Sequence, residues 1–456
     1  MPVYSISHVE NVRVCVVMVG LPARGKSLIS QKIVRYLSWL SIKSKCFNVG
    51  SYRRQIAQMP IEVDAKFFDP NNEQGLKYRQ QAIDLAIDDM MRWFSDEQGV
   101  VGILDATNST RERRESILKL CRENYIEPMF LESFCDDQDL VLQNILDVKT
   151  TSPDYISKPQ DYALNDFLQR IEFYNQIYEP MDVELDSELT FIKLVNVNSQ
   201  IILNRIESYL ESRIVYYVMN LHIKPRSIWL SRHGESEFNV TGQIGGDSNL
   251  STRGWRYAKK LPDLVLKSLG PDNQHTNLTV WTSTLKRTQQ TASFLPYNKK
   301  LQWKALDELD AGECDGMTYE EIEQKFPEDF KARDDDKYEY RYRGGESYRD
   351  IVIRLEPIIM ELERQENILI ITHQAVLRCL YAYFMNVPQH ESPWMSIPLH
   401  TLIKLEPRAY STLVSRIKAD IPAVSTYKEK GTSQLGESVE GTTTKSRDLI
   451  SASAEE

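Results

Sequence analysis

The chain has 456 residues, 41% of them hydrophobic and 26% charged, with a formal net charge of −10. That composition suits a globular protein of two or three domains, and no apolar run approaches the roughly 18 residues that a membrane span needs. The acid excess argues against broad nucleic-acid binding, which wants a basic face, but not against small anionic ligands where arginines cluster locally. The opening MPVYSISHVENVRV is too polar for the core of a signal peptide. Six scattered cysteines (Cys15, Cys46, Cys121, Cys135, Cys314, Cys379), none in a CxxC pair, read as reduced thiols of a cytoplasmic protein rather than a disulfide framework or zinc site.

Residues 12–19, VRVCVVMV, form a β-branched run that predicts a buried parallel strand. A glycine-bearing loop follows, then a helix over about 27–40, where Ile29, Ile33, Leu37 and Leu40 recur at helical spacing. Strands are expected at 45–50, 99–105 and about 129–134, with a helix around 73–94 and another over roughly 198–212. Alternating strands and helices predict an α/β domain with a parallel sheet. MNLHIKPRS (219–227) reads as a joint, because Pro225 disfavours helix at Lys224. The pattern then restarts with SIWLSRHG, LTVWTSTLKRTQQTA and ENILIITHQAVLRCLYAYFM, each a strand leading into a turn or helix. The expected domains are 1–222 and 223–418. The segment 419–456, rich in Ser, Thr, Gly and Glu over most of its length, is expected to be a low-complexity disordered tail.

Gly20-Leu21-Pro22-Ala23-Arg24-Gly25-Lys26-Ser27 matches G-x-x-x-x-G-K-[ST] between a strand and a helix, as a phosphate cradle requires. Lys26 can reach the β- and γ-phosphates of a nucleotide, and the Ser27 hydroxyl can ligate magnesium. Asp105 follows another strand in ILDATNST, where it suits either a metal-holding carboxylate or a helix N-cap. Arg53, Arg54, Arg79, Arg111, Arg113 and Arg114 cluster after strands and suit a phosphorylated acceptor, although any one of them also fits solvated surface. Lys149 could stabilise a transferring phosphoryl group or lie on the surface. Cys135 reads as a buried thiol.

In the second half, LSRHGESEFN brings Arg232, His233 and Gly234 to a strand end. An imidazole among cations stays neutral near pH 7 and can attack phosphorus. Arg287 and His373 follow other strands and could converge on the transferring group, with Glu308 as proton donor. A lone R-H-G would equally suit a core or capping histidine. The ordered set RHGE, T-S-x-x-x-R-T-x-x-T, L-x-E and T-H is far more specific.

These residues resemble the histidine phosphatase superfamily, on its phosphoglycerate-mutase-like side. With GLPARGKS upstream, about residues 10–415 resemble the bifunctional 6-phosphofructo-2-kinase/fructose-2,6-bisphosphatase family, through YRR, DATN, RERR, SPDY, ESRIVYY, RHGESE, IGGDS and KYEYRY. The resemblance implies a P-loop kinase domain followed by an α/β histidine phosphatase domain. ATP and magnesium would be held by Gly20–Ser27, with Asp105 also on the metal and Asn144, Lys149 and Tyr410 near the nucleotide. Fructose 6-phosphate would be gripped by Arg53, Arg79, Thr107, Arg113, Arg170 and Tyr174, with Asp105 and Cys135 at positions of catalytic importance. His233 would carry the phosphoryl group and Glu308 the proton. Arg232, Asn239, Arg287 and His373 would hold the 2-phosphoryl group of fructose 2,6-bisphosphate. Tyr319, Arg333, Lys337, Tyr348, Gln374 and Arg378 would hold the sugar and its 6-phosphate, with Gly245 in the matching loop. A homodimer is the implied assembly.

The chain departs from the family pattern in lacking an Arg-Arg-x-Ser segment near its start and in a longer loop, GPDNQHTNL, at 270–278. Two other readings fit parts of the pattern: a nucleotide kinase fused to a phosphoglycerate mutase, and a scaffold that senses phosphorylated ligands without turning them over.

Overall fold

A computed structural model describes residues 12–56, 64–151, 160–196, 199–221, 226–269, 278–408 and 412–426. The first sheet uses β1 (Val14–Val19), β2 (Ser44–Asn48), β3 (Val101–Asp105), β4 (Glu127–Phe134), β5 (Phe191–Val195) and β6 (Gln200–Asn204), in the order β2-β3-β1-β4-β5-β6. The second uses β7 (Ser227–Arg232), β8 (Thr279–Thr282), β9 (Lys300–Gln302), β10 (Asn367–Thr372), β11 (Thr401–Pro407) and β12 (Thr412–Lys418), in the order β12-β11-β7-β10-β8-β9. Both sheets are parallel at heart, with antiparallel pairing at one edge, through β6 in the first and β11 and β12 in the second.

β1 illustrates why the run is apolar throughout. Val14, Val16 and Met18 pack on one face against Ile29, Ile33 and Leu37, while Cys15, Val17 and Val19 meet Met90, Phe94 and Ile117 on the other. Alternate side chains leave a strand on opposite faces, so a strand covered by helices on both sides must be apolar at every position.

The helix expected over 198–212 is instead β6 followed by a helix at Tyr209–Met219. Ile201, Ile202 and Leu203 pair antiparallel with β5, and the helix starts only after Ser208, whose hydroxyl and Glu211 form a reciprocal cap. Residues 222–225 of the expected joint, loop residues 270–277 and tail residues 427–456 lie outside the described residues. The first part of the segment assigned to the tail, 419–426, is described. Ala419 is buried in the second domain and its N–H donates to the His400 carbonyl.

The helix Lys26–Trp39, which begins at the glycine-rich loop, also joins the two halves. Its Trp39 is buried in the second domain's core, edge-on to Tyr383. Its Lys32 and Arg35 both reach the carboxylate of Glu363, each at 2.9 Å, and Arg226 reaches it at 2.7 Å. Tyr383 OH donates to the same carboxylate at 2.8 Å and Tyr217 OH at 3.3 Å. Burial pushes Glu363 up, but Lys32, Arg226 and Arg35 outweigh it and hold the carboxyl well below its usual range. Lys32 is driven down to about 7 by burial, with Arg226 and Arg35 adding to the effect. Shared among three cations, the carboxylate stays ionised.

Removing one partner of such a cluster strands the others without water. Glu363→Ala is expected to cost about 3–5 kcal/mol in urea unfolding. A loss under about 1 kcal/mol would show that the cluster is not a structural clamp.

Candidate active sites

The loop Gly20–Gly25 runs from the end of β1 to the helix Lys26–Trp39. Gly20 has φ +133, and a Cβ there would lie 2.6 Å from the Ser133 carbonyl oxygen on β4, so only glycine lets the loop pass. Gly20 N–H donates to Thr107 O, tying the loop to the turn after β3. Arg24 donates to the carbonyls of Cys135 and Pro22, and Asn144 donates to Ala23 O. Lys26 Nζ donates to Leu21 O at 2.7 Å. Asp105, at the end of β3, is buried, accepts from Asn48 Nδ2 at 2.5 Å and interacts with the Ser27 hydroxyl. Burial raises the Asp105 carboxyl, opposed by Ser27, Lys26 and Asn48. Burial also drives the Lys26 ammonium down to about 7, with Asp105 pulling the other way and Arg24 and Arg170 adding to the depression. A triphosphate with a hard cation would relieve both. The donor set, a carboxylate and a hydroxyl oxygen beside a phosphate cradle, fits magnesium.

The acceptor side gathers on Phe68. The guanidinium of Arg170 lies 3.9 Å from its ring centre and that of Arg53 5.2 Å, and the Tyr174 ring is 5.9 Å away. Arg79 bonds the carbonyls of Phe68, Asp69 and Gly75, and Arg113 reaches Gln80. Two sequence candidates serve elsewhere. Arg111 pairs with Glu179 and Asp186, and Arg114 bonds the carbonyls of Asn108 and Glu179, so both brace the turn after β3. The Cys135 thiol packs among Val141, Ile145, Ala163 and Phe167, where burial keeps it protonated. It is the Cys135 carbonyl that holds Arg24. The Lys149 side chain and Tyr410 lie outside the described residues.

In the second half a cavity of about 440 Å³ opens where β7, β8 and β10 end. Arg232, His233, Arg287, Glu308, Arg333, Lys337, Tyr348 and Arg378 line it, with Asn239, Gly245, Tyr319 and Gln374 also in its wall. His233 Nδ1 lies 2.7 Å from the Gly234 carbonyl. A carbonyl only accepts, so Nδ1 carries the proton and Nε2 keeps a free lone pair. Burial, then Arg287 and Arg232, hold His233 well below the ordinary imidazole range, and the same two arginines add to burial at His373. The His233 and His373 rings lie 5.1 Å apart. Glu308 accepts from the N–H groups of Leu309, Gln374 and Ala375, at the start of the helix Gln374–Met385.

Arg287 Nη1 donates to Gly246 O at 2.7 Å, in a turn where a Cβ on Gly245 would collide with Asp315 Oδ1. Asn239 closes a reciprocal cap with Ser236. Arg378 bonds Met395 O and Tyr348 OH, and Arg333 bonds the hydroxyls of Tyr342 and Tyr319. Lys337 Nζ lies 3.3 Å from Pro393 O and 4.6 Å from the Trp394 ring centre.

Sequence reasoning missed Phe68, Tyr342, Ser283 and Thr291, the last of which accepts the Gly234 N–H. Ser283 and Thr291 stood inside the T-S-x-x-x-R-T-x-x-T signature, which was the available signal. It also missed residues 424–426. Arg232 Nη1 donates to Thr426 Oγ1 at 2.7 Å, Gln374 Nε2 lies 3.3 Å from Thr426 O, and Val424 N–H donates to Glu235 at 3.0 Å. Ser425 and Thr426 line the cavity. The segment thus occupies donors that a phosphoryl group would need.

Two outcomes follow. Thr426→Ala is expected to lower KM for the phosphatase substrate about fivefold with kcat held, since one hydrogen bond to a charged donor no longer competes; an unchanged or higher KM contradicts it. In the first site, Lys26 sheds its proton as pH rises through about 7, and a bound triphosphate restores it. ATP binding at pH 8 should therefore take up a proton, and affinity should fall as pH climbs above 7. Calorimetry in two buffers of different ionisation enthalpy checks this, and equal heats would refute it.

A family model for 6-phosphofructo-2-kinase matches residues 3–225, and one for the histidine phosphatase superfamily (branch 1) matches residues 228–420. Fructose-2,6-bisphosphatase of Saccharomyces cerevisiae is 66% identical over 95% of this chain and 94% of its own. The 6-phosphofructo-2-kinase/fructose-2,6-bisphosphatase of Aquarana catesbeiana is 51% identical over 93% of this chain and 89% of its own. The Homo sapiens protein 6-phosphofructo-2-kinase/fructose-2,6-bisphosphatase 1 is 50% identical over 93% of this chain and 88% of its own. Two catalytic modules in one chain, matched together by relatives along nearly its whole length, place this protein in the 6-phosphofructo-2-kinase/fructose-2,6-bisphosphatase family.

Proposed function

We propose that this chain both makes and destroys fructose 2,6-bisphosphate, and so regulates glycolysis and gluconeogenesis. The first domain transfers the γ-phosphoryl group of ATP to O2 of fructose 6-phosphate, and the second removes it. The observation that carries the second half is the bare Nε2 of His233 at the wall of a cavity lined with cations.

In the phosphatase, Arg232, Arg287, Asn239 and His373 hold the 2-phosphoryl group. His233 Nε2 attacks phosphorus, the P–O2 bond breaks, and Glu308 protonates the departing sugar oxygen. Water then attacks the phosphohistidine, Glu308 takes its proton, and phosphate leaves with His233 restored. Tyr319, Arg333, Lys337, Tyr348, Gln374 and Arg378 grip the sugar and its 6-phosphate, and Gly245 keeps the loop that seats Arg287.

In the kinase, backbone N–H groups of Gly20–Ser27 cradle the nucleotide phosphates, with Asn144 bracing the loop and Lys26 countering their charge. Ser27 and Asp105 would hold magnesium, which offsets phosphate charge when bound. Arg53, Arg79, Arg113, Arg170, Thr107 and Tyr174 receive fructose 6-phosphate. Lys149 and Tyr410 are assigned to the nucleotide on resemblance alone. Cys135 acts through its carbonyl on Arg24 rather than through its sulfur.

We assign the domains to 1–222 and 223–418 and the tail to 419–456, with 419–426 packed on the second domain. Six free cysteines support a reducing, cytoplasmic setting, and no helix among the described residues is long and apolar enough to cross a membrane. Homodimer assembly is proposed on the family resemblance.

Substrate labelled at the 2-phosphoryl group should transiently label the protein, and His233→Ala should abolish both label and hydrolysis while sparing synthesis. Lys26→Met should cut synthesis by about 10²–10³-fold and leave hydrolysis intact. Loss of both activities in either variant would defeat the two-site assignment. Turnover of 3-phosphoglycerate with indifference to fructose 6-phosphate would establish the mutase reading.

A further inference from the structure

A buried hydroxyl pair, Ser283 and Thr288, lies against His373. Ser283 Oγ is 2.7 Å from His373 Nε2 and 2.9 Å from Thr288 Oγ1. Ser283 and Thr288 are fully buried, as is His373. His373 Nδ1 has no hydrogen-bond partner among the described residues.

The proton count constrains this group. The Thr288 hydroxyl has the carbonyls of Leu285 at 2.9 Å and Ser283 at 3.2 Å within reach, and when its proton goes to either of them it offers Ser283 only a lone pair. The Leu285 N–H donates to Ser283 Oγ. Ser283 therefore has one proton and two acceptors competing for it, Thr288 Oγ1 and His373 Nε2. If the proton goes to Thr288, His373 must carry its own proton on Nε2, and Nδ1 is a bare lone pair that repels a phosphoryl oxygen. If it goes to His373, the ring's proton sits on Nδ1 and can be donated.

We propose that Ser283 is a positioning residue of the phosphatase. Its hydroxyl donates to His373 Nε2 and so fixes the Nδ1–H tautomer that holds the phosphoryl group. Thr288 is the alternative acceptor to which that proton turns when no phosphoryl group is bound. This rests on the assignment of His373 to the phosphoryl group.

The test compares Ser283→Ala, Ser283→Thr and His373→Ala, and reads the His373 tautomer by two-bond proton–nitrogen correlation on histidine-labelled protein with inorganic phosphate bound. Ser283→Ala should lower bisphosphatase kcat about 10–100-fold, with KM and kinase activity unchanged. Ser283→Thr, which keeps the hydroxyl, should restore most of the rate. The phosphate-bound wild type should show Nδ1–H, and Ser283→Ala a mixture or Nε2–H. A wild-type ring protonated on Nε2, or on both nitrogens, overturns the proposal whether or not the alanine variant folds. So does a Ser283→Ala enzyme with wild-type kcat. If His373→Ala also keeps full activity, the phosphoryl-site assignment itself fails. If His373→Ala is inactive while Ser283→Ala is not, only this inference does.

Discussion

Buried positive charge only partly offset by carboxylates is the constraint around which both halves are arranged. Removing a cation from water is costly, and proteins usually offset the cost with an anion. Here Arg35, Arg226 and Lys32 converge on Glu363, and Arg111 sits with Glu179 and Asp186. The cations assigned to substrates are held differently. Arg232, Arg287, Arg378, Arg79 and Lys26 donate to carbonyl or hydroxyl oxygens. A neutral acceptor fixes the geometry without a direct ion pair, and the carboxylates nearby, Asp105 for Lys26 and Glu308 for Arg232 and Arg287, offset the charge only in part. The depressed Arg232, held at about 9 by burial first and then by Arg378 and Arg287 despite Glu308, expresses the same tension. The division has exceptions: Arg333 also touches Asp334, and Arg114 braces a turn through carbonyls.

That partly offset charge sets the chemistry. Arg287 and Arg232 disfavour imidazolium at His233 and His373, so the nucleophile stays neutral and its lone pair available. A histidine whose folded pKa is lowered favours the fold above its unfolded value near 6.5 and loses that contribution as pH falls below it. The segment 424–426 places hydroxyl and carbonyl oxygens, weaker acceptors than a phosphoryl oxygen, on Arg232 and Gln374. A phosphate ester can displace such acceptors where it could not displace a buried carboxylate.

The helix Lys26–Trp39 gives the two chemistries a common mechanical part. Its first turn meets the nucleotide loop, and its last turns reach Glu363, Tyr383 and the second domain's core. Tyr383 belongs to the helix Gln374–Met385, whose start carries Gln374 and, one turn on, Arg378 of the phosphatase cavity. The domains are therefore packed through the elements that carry their sites, not through a remote linker.

Much of this was legible along the chain. Both phosphate-directed motifs, the alternating strands and helices and the strand-end positions of Asp105, His233 and His373 are local patterns, written by the periodicity of apolar residues and by glycine spacing. The error at 198–212 arose because a short apolar run suits an edge strand as well as a helix, and pairing with β5 decides between them. Which arginines serve substrate was not legible, since Arg111 and Arg113 are two residues apart and only the neighbours each meets in the fold separate them. Nor was the role of Thr426, which reads as tail by composition yet bonds Arg232, 194 positions away. Sequence alone determined the two folds and the kind of group each site attracts, because those depend on neighbours within a few residues. Tertiary structure alone decided which charges are held without a direct ion pair, because a side chain's electrostatic partners are chosen by distance in space.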